Sequence, residues 1–187
     1  MPCELRVSRI AVLIGVSCHA ACSTPDVVLS AFDSRVGVDG VARRRSPHDG
    51  VDLGPLVASA KILSSAAGIV DHIEMSYDTG DTSVVVRHHG WALNNPEETS
   101  MWTCYAHVET VQVEKGQLVA RGDVLGTIGL FPASGGVRHV HWTLATNPAC
   151  AFPMVMDPMK RTVGFFVSGR GYERTQLTLP IRKEDLE

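Results

Sequence analysis

Residues 67–87, AGIVDHIEMSYDTGDTSVVVR, carry the clearest fold signal in the chain. Two runs rich in valine and isoleucine, 67–75 and 82–87, flank the turn sequence YDTGD at 77–81. β-Branched residues favour strands, and an Asp/Gly turn between two such runs favours a tight hairpin. The segment therefore predicts two antiparallel strands joined by a short turn.

The same alternation of short apolar runs and turn signals continues along the chain. Turn signals recur at about 8 to 12 residue intervals, which is typical of an antiparallel sheet or small barrel. Beyond the hairpin, the pattern predicts strands at 101–108 and 137–145, a polar loop at 90–100, turns at 114–117 and 121–123, and a loop at 132–136. We therefore expect a mainly β fold, an antiparallel sheet or small barrel-like hairpin domain.

Length and composition narrow the class of protein. The 187 residues allow one domain with short extensions, and 44% hydrophobic residues are enough to form a core. The net charge of −3 argues against nucleic acid as the main partner, because phosphate binding needs a concentrated positive surface. No apolar run reaches the roughly 18 residues of a membrane span, so no permanent transmembrane helix is expected.

The amino terminus has the pattern of an export signal. Arg6 and Arg9 precede an apolar run at 10–16, and small residues lead to Ala20-Ala21-Cys22. This ending resembles a bacterial lipoprotein cleavage site, in which Cys22 would carry a lipid and attach the protein to a membrane. Simple cleavage and secretion is the alternative, and an apolar N-terminal strand is another. Either kind of signal predicts a protein of the periplasm or cell envelope.

Changes in composition divide the chain into four segments. Residues 1–22 are interpreted as the export signal, 23–45 as a linker, 46–160 as the functional domain and 161–187 as a C-terminal extension. The basic triplet that ends the linker, residues 43–45, is interpreted as a solvated stretch.

Two cysteines, Cys104 and Cys150, would remain in the mature chain besides Cys22. Cysteines of an exported protein can form a disulfide, but spacing does not show that the two backbones come close enough. The preferred interpretation is that both are free, buried thiols.

Three histidine-bearing segments suggest chemistry. In the first, HDGVD at 48–52, His48 and Asp52 return to the same face if the segment is extended. In the second, YAH at 105–107, a strand over 101–108 would place Tyr105 and His107 on one face and Cys104 on the other. The third, HVH at 139–141, would project two imidazoles side by side.

Together these segments indicate a metal centre. Neighbouring imidazoles repel when both are protonated, so the pair is unfavourable by itself. A metal ion bound to one of the two imidazoles would explain why they lie side by side. Zn²⁺ takes nitrogen and oxygen ligands in a tetrahedron, and a catalytic site leaves one position for water. Three of these side chains would bind the metal, and the remaining histidines would take up a proton, orient the nucleophile or stabilise the tetrahedral intermediate. Spacing alone does not choose between His139 and His141 as the ligand.

The order H-x-G-x-D, Y-x-H, H-x-H resembles the lysostaphin-type zinc metalloendopeptidase family, whose members cut bacterial peptidoglycan. The segments VEKGQLV at 113–119 and GDVLG at 122–126 resemble the glycine-turn hairpins of that family. The resemblance covers roughly residues 46–145. It implies a domain with a metal-bearing groove, zinc ligands at His48, Asp52 and His141, and catalytic roles for His107 and His139.

The resulting hypothesis is an exported Zn²⁺ endopeptidase that hydrolyses peptide bonds in peptidoglycan stems or cross-bridges. The alternative is a catalytically silent domain of the same fold that activates another cell-wall hydrolase. A lipoyl- or biotinyl-type carrier domain would share the glycine turns but would not account for the histidines. His72 and His88 are predicted to be exposed or satisfied by structural partners.

Overall fold

The computed structural model describes residues 27–41, 44–76, 80–89, 100–160, 162–167 and 171–187. The export signal at 1–22 with Cys22, and the polar loop up to residue 99, lie outside the described residues. Within those ranges, no helix has the length and apolar character needed to cross a membrane.

The described residues form short strands with three single-turn 3₁₀ helices, which confirms the mainly β prediction. The strands are β1 (Val28–Ser30), β2 (Val51–Leu53), β3 (Lys61–Leu63), β4 (Gly68–Met75), β5 (Thr82–His89), β6 (Ser100–Ala106), β7 (Val108–Val111), β8 (Leu118–Val119), β9 (Val124–Ile128), β10 (Val140–Ala145), β11 (Val155–Met156), β12 (Thr162–Val167) and β13 (Gly171–Gln176). The 3₁₀ helices are Pro132–Ser134, Pro158–Lys160 and Lys183–Asp185.

One large antiparallel sheet organises the domain. Its strand order is β1-β2-β10-β6-β5-β4-β8, and β11 pairs with β10 at the end of that strand. A three-stranded sheet, β3-β9-β7, and the hairpin β12-β13 complete the described structure. Strand β10 lies between β2 and β6, so three segments that are distant in sequence become neighbours.

The hairpin expected from residues 67–87 is present as β4 and β5. The register pairs Met75 with Thr82, and the Ser76 N–H donates to the Asp81 carbonyl at 2.8 Å. Gly80 has φ 67°, a left-handed conformation that glycine adopts without a steric penalty. The two strands therefore pair as predicted, and residues 77–79 between them lie outside the described residues.

The core contains residues of both the large sheet and the β3-β9-β7 sheet, and it extends past both ends of residues 46–160. Trp142 and Tyr105 are its largest fully buried side chains. Val27 from the N-terminal side, and Leu177 and Ile181 from the C-terminal side, belong to the same cluster of buried apolar residues. The segments that flank the functional domain thus contribute to its packing.

The expected strand over 101–108 is wrong in one respect that concerns the site. The predicted strand is interrupted at His107, which lies between β6 and β7 and has φ 66°. This left-handed residue ends the alternation of faces, so Tyr105 and His107 do not share one. The Tyr105 side chain is fully buried in the core, whereas His107 lines a cavity.

The preference for free thiols is also wrong. Cys104 and Cys150 form a disulfide, and their Cα atoms are 6.4 Å apart. That separation lies within the range that a disulfide can bridge. The bond connects β6 to the loop that follows β10.

The Tyr105 hydroxyl predicts an alkaline limit to stability. It lies 2.9 Å from the Ser65 N–H and 2.6 Å from the Ser65 hydroxyl, and it accepts from Thr103 at 2.9 Å. Burial raises the pKa of Tyr105 above its ordinary value. Because the folded pKa exceeds the unfolded one, the corresponding stability is complete below about pH 10 and is lost as pH rises toward the folded pKa.

We expect urea unfolding to show this loss as a decline of up to about 1.4 kcal/mol per pH unit above pH 10. Tyr105→Phe should reduce that decline, and at pH 8 it should cost about 1–3 kcal/mol because the Ser65 N–H loses its partner. Ser65→Ala is the matched control, since it removes one hydrogen bond but keeps the phenol. An unchanged decline in Tyr105→Phe would contradict the assignment.

Candidate metal centre

The register of the large sheet brings the candidate ligands together. His141 on β10 pairs with Asp52 on β2 and, on its other side, with Ala106 at the end of β6. His107 follows Ala106 directly, and His139 immediately precedes β10. Three strands therefore deliver four of the predicted residues to one place, and His48 reaches the same place from the loop before β2.

The three predicted ligands present a compact triangle of donor atoms. His48 Nε2 lies 3.0 Å from His141 Nδ1 and 3.1 Å from Asp52 Oδ1, and His141 Nδ1 lies 2.9 Å from the same carboxylate oxygen. His48 and Asp52 are buried, and the His141 side chain is about one fifth exposed. The cluster is thus accessible from the His141 side.

The outer nitrogens of both imidazoles have hydrogen-bonding partners within the protein. His48 Nδ1 lies 3.1 Å from the Ala31 carbonyl, which can only accept, so this nitrogen carries the proton. His141 Nε2 lies 3.0 Å from the Thr143 hydroxyl. Metal-binding histidines commonly have such an outer partner, which fixes the tautomer and the ring orientation.

This triangle fits a small divalent ion. Donor atoms about 2.0–2.1 Å from Zn²⁺ in a tetrahedron lie about 3.3 Å from one another, close to the spacing seen here. The three donor atoms converge on one point, where a cation would replace the hydrogen bonds that His48 and His141 otherwise make with Asp52. The donor types, two nitrogens and one oxygen, are those of catalytic zinc sites.

Asp49 is a second acidic residue near the cluster. One of its oxygens can be grouped with nitrogens of His48 and His141 within 4.8 Å, and it lies 3.4 Å from His141 Nε2. This is the outer nitrogen of His141, and the donor spacings with Asp52 are shorter. Asp52 therefore fits the metal position better, and Asp49 supports the His141 ring from outside.

The charges around Asp52 favour the ionised form of its carboxylate, which is the form that binds a metal ion. Burial alone would raise the pKa of Asp52, but hydrogen bonds from His141 and His48 and their charges lower it well below the ordinary value. Burial alone would lower the pKa of His141, but the hydrogen bond and charge of Asp52 raise it. Asp52 is therefore ionised at neutral pH.

Gly50 explains the glycine of the H-x-G-x-D motif. A Cβ atom here would lie 2.6 Å from Thr143 Oγ1, 2.7 Å from the Trp142 carbonyl and 2.8 Å from His141 Cε1. Real Cβ atoms essentially never come so close to other heavy atoms, so β2 and β10 would have to separate.

We expect Gly50→Ala to lower the free energy of unfolding by about 1–3 kcal/mol or more, because it overpacks a close strand contact. It should also weaken zinc binding, since the displaced atoms include the His141 ring. Thermal unfolding and chelator competition measure the two effects. Gly40→Ala is the control, because a Cβ there meets nothing within 4 Å and its left-handed backbone confines any cost to local strain. Wild-type zinc affinity in Gly50→Ala would contradict the argument.

The two remaining predicted residues lie beside the donor triangle in a cavity of about 400 Å³. His139 Nε2 is 3.8 Å from Asp52 Oδ1, and the rings of His107 and His139 meet edge to face with centroids 4.6 Å apart. His139 Nδ1 lies 3.0 Å from the Val137 carbonyl, so its Nε2 carries a free lone pair. Burial lowers the pKa of His139, although the charge of Asp52 opposes this shift.

Sequence reasoning missed three residues that shape the cavity. Asp81 Oδ2 lies 3.0 Å from His107 Nδ1, and the Phe131 ring stacks on His107 with centroids 4.4 Å apart. Arg44 Nη2 donates to Asp52 Oδ2 at 2.6 Å, so the solvated interpretation of the triplet is wrong for Arg44. No sequence signal marks these partners, because Asp81 has the pattern of a turn residue and Arg44 that of a surface cation.

His72 and His88 have structural partners, in agreement with the prediction. His72 Nδ1 lies 3.0 Å from the Asp71 carboxylate on the sheet. His88 is buried, with Nδ1 2.8 Å from the Ala67 carbonyl and Nε2 2.8 Å from the Thr103 hydroxyl. Neither lines the cavity.

The fold and the cluster define a class: a mainly β domain whose strands assemble a His/Asp metal-type centre in a groove. The sequence model of Peptidase family M23 matches residues 46–151, more than half of the chain. The chain belongs to this family of peptidases, which confirms the resemblance to lysostaphin-type enzymes, known peptidoglycan hydrolases. No curated protein matches the sequence.

Several solved structures share the fold. The catalytic domain of the prophage-encoded M23 protein EnpA from Enterococcus faecalis, solved as a point mutant, is 22% identical, with TM-score 0.51, covering 72% of this chain and 90% of that one. LytU is 18% identical, with TM-score 0.52 and coverages of 71% and 81%. The antimicrobial peptidase lysostaphin from Staphylococcus simulans is 18% identical, with TM-score 0.50 and coverages of 71% and 50%. At these identities the likeness concerns the fold.

Proposed function

We propose that this protein is an exported zinc-dependent endopeptidase that hydrolyses peptide bonds in bacterial peptidoglycan stems or cross-bridges. The observation that carries the proposal is the triangle of His48, Asp52 and His141 donor atoms, all within 3.1 Å, beside two further histidines in a groove. All five positions that the family uses are filled in this chain, which favours an enzyme over a catalytically silent domain.

His48, Asp52 and His141 would hold the ion. Bound Zn²⁺ lowers the pKa of water to about 7 and polarises a carbonyl group as a Lewis acid. The residues around it have separate roles in our proposal. His139 Nε2, whose lone pair is free, accepts a hydrogen bond from the attacking water and orients it.

His107 is the proposed general base, because its Nδ1 lies 3.0 Å from the Asp81 carboxylate, whereas His139 Nδ1 lies 3.0 Å from a backbone carbonyl. As the water oxygen bonds to the carbonyl carbon, one water proton passes to His107 Nε2. The same proton then goes to the amide nitrogen as the C–N bond breaks. The products are an amine and a carboxylic acid, which loses its proton to solvent.

Export is supported by the Cys104–Cys150 disulfide, since such bonds form and persist in oxidising compartments. We propose that residues 1–22 direct the chain to the periplasm or cell envelope and that Cys22 is a candidate for lipidation. Peptidoglycan is the proposed partner there, with a membrane as the attachment surface if Cys22 carries a lipid.

The proposed test measures bound zinc in the purified protein and the muropeptides that it releases from purified cell-wall sacculi. One equivalent of zinc and release of peptide-cleaved muropeptides, identified by mass spectrometry, would support the proposal. Zinc binding without any release would favour the silent-domain alternative. Absence of zinc binding would overturn the metal assignment.

A further inference from the structure

The environment of His107 is more constrained than a surface histidine requires. Its backbone is left-handed with φ 66°, and its carbonyl accepts from the Gly129 N–H at 2.7 Å. Phe131 covers one ring face, at an interplanar angle of 21°. Non-glycine residues in this backbone region are uncommon and persist where their surroundings hold them.

Asp81 completes that environment from another part of the fold. It ends the β4–β5 turn, 26 residues before His107, and its Oδ2 lies 3.0 Å from His107 Nδ1. Both side chains are mostly buried, with exposures of 17% for Asp81 and 9% for His107. A carboxylate and an imidazole in such a place interact more strongly than an exposed pair.

We propose that Asp81 is a positioning residue for His107. Its ionised carboxylate accepts a hydrogen bond from Nδ1–H, so Nε2 is the nitrogen left to exchange a proton with the reacting atoms. When Nε2 gains that proton, the carboxylate stabilises the imidazolium. The same division of labour between carboxylate and imidazole operates in hydrolytic triads. This inference rests on the proposed function through the role of His107.

The first experiment needs no variant of Asp81. Long-range proton–nitrogen NMR spectra of the full chain, labelled with ¹⁵N-histidine, report which nitrogen of each neutral imidazole carries the proton. The His107 signals are identified by their loss in His107→Gln. We expect the Nδ1–H form, and an Nε2–H form of His107 would overturn the inference whether or not the protein cleaves peptidoglycan.

The second experiment is the isosteric variant Asp81→Asn. We expect kcat for sacculus hydrolysis to fall at least about 10-fold, within the roughly 10²–10⁴-fold that general acid–base catalysis contributes. KM should stay within about twofold, because an interaction used in the transition state is lost rather than uniform binding. Zinc content and thermal midpoint should remain those of the wild type.

The matched control is Asp71→Asn, because Asp71 forms an Asp–His pair of the same 3.0 Å length with His72 outside the cavity. It should keep wild-type kcat. Equal kcat in Asp81→Asn and the wild type would overturn the positioning role while leaving the proposed function intact. If the wild type releases no muropeptides, the proposed function fails, and the NMR measurement still tests the Asp81–His107 pair.

Discussion

His141→Ala should lose both bound zinc and hydrolysis of sacculi. The substitution removes one corner of the donor triangle, since His141 Nδ1 lies within 3.0 Å of both His48 Nε2 and Asp52 Oδ1. Loss of an outer-shell partner alone lowers metal affinity by about 10–100-fold, so loss of a ligand should cost more. Turnover should fall by at least the roughly 10²–10³-fold caused by removing one preorganised electrostatic group.

Zinc content, chelator competition and thermal unfolding with and without zinc measure the effect. A ligand that binds only the folded state raises the unfolding midpoint, so zinc should stabilise the wild type and leave His141→Ala unchanged. His72→Ala is the control, because this histidine is partly exposed and paired with Asp71 outside the cavity. A His141→Ala protein that kept its zinc would end the metal assignment.

The proposed ligand set follows partly from the sequence because some of its residues are neighbours along the chain. His48 and Asp52 belong to one short motif, and His139 and His141 to another. What the motifs do not contain is the register that pairs His141 with Asp52 on β2. The family resemblance supplied the choice of His141 over His139, which stays a prediction. His141 Nδ1 is 2.9 Å from Asp52 Oδ1, and His139 Nε2 is 3.8 Å from it.

The position of His107 was harder to predict because it depends on one backbone angle. A strand pattern over 101–108 places Tyr105 and His107 on the same face, and only the left-handed φ of His107 separates them. Histidine adopts this conformation more often than most non-glycine residues but still uncommonly, so the residue type alone does not predict it. In the folded chain the Gly129 N–H, directly after β9, donates to the His107 carbonyl at 2.7 Å and helps to hold this conformation.

Asp81 and Arg44 illustrate a further limit. Each is polar at a position where sequence patterns predict exposed polar residues, and each has a partner set by the tertiary fold. An ion pair between two residues that are distant in sequence produces no periodic pattern, so composition and spacing could not identify these two pairs. The cysteine pair is similar: the decisive quantity is the 6.4 Å between Cα atoms, which a separation of 46 residues does not reveal.

Removing the Cys104–Cys150 bond should cost about 3–5 kcal/mol of unfolding free energy, as expected for a closed loop of this length. Much of this arises because the bond restricts the unfolded chain. Urea unfolding of the wild type with and without reductant, compared with Cys104→Ala/Cys150→Ala, measures it. Reductant should lower the stability of the wild type and leave that of the double variant unchanged.

The proposed zinc centre should survive this change, because the hydrogen bonds between β6 and β10 do not depend on the disulfide. Thr143 remains paired with residue 104 in the register, and its hydroxyl still supports His141 Nε2. We therefore expect the double variant to bind one equivalent of zinc at temperatures well below its unfolding midpoint. Equal stability of the oxidised wild type and the double variant would contradict a stabilising disulfide, as would peptide maps in which Cys104 and Cys150 are never joined.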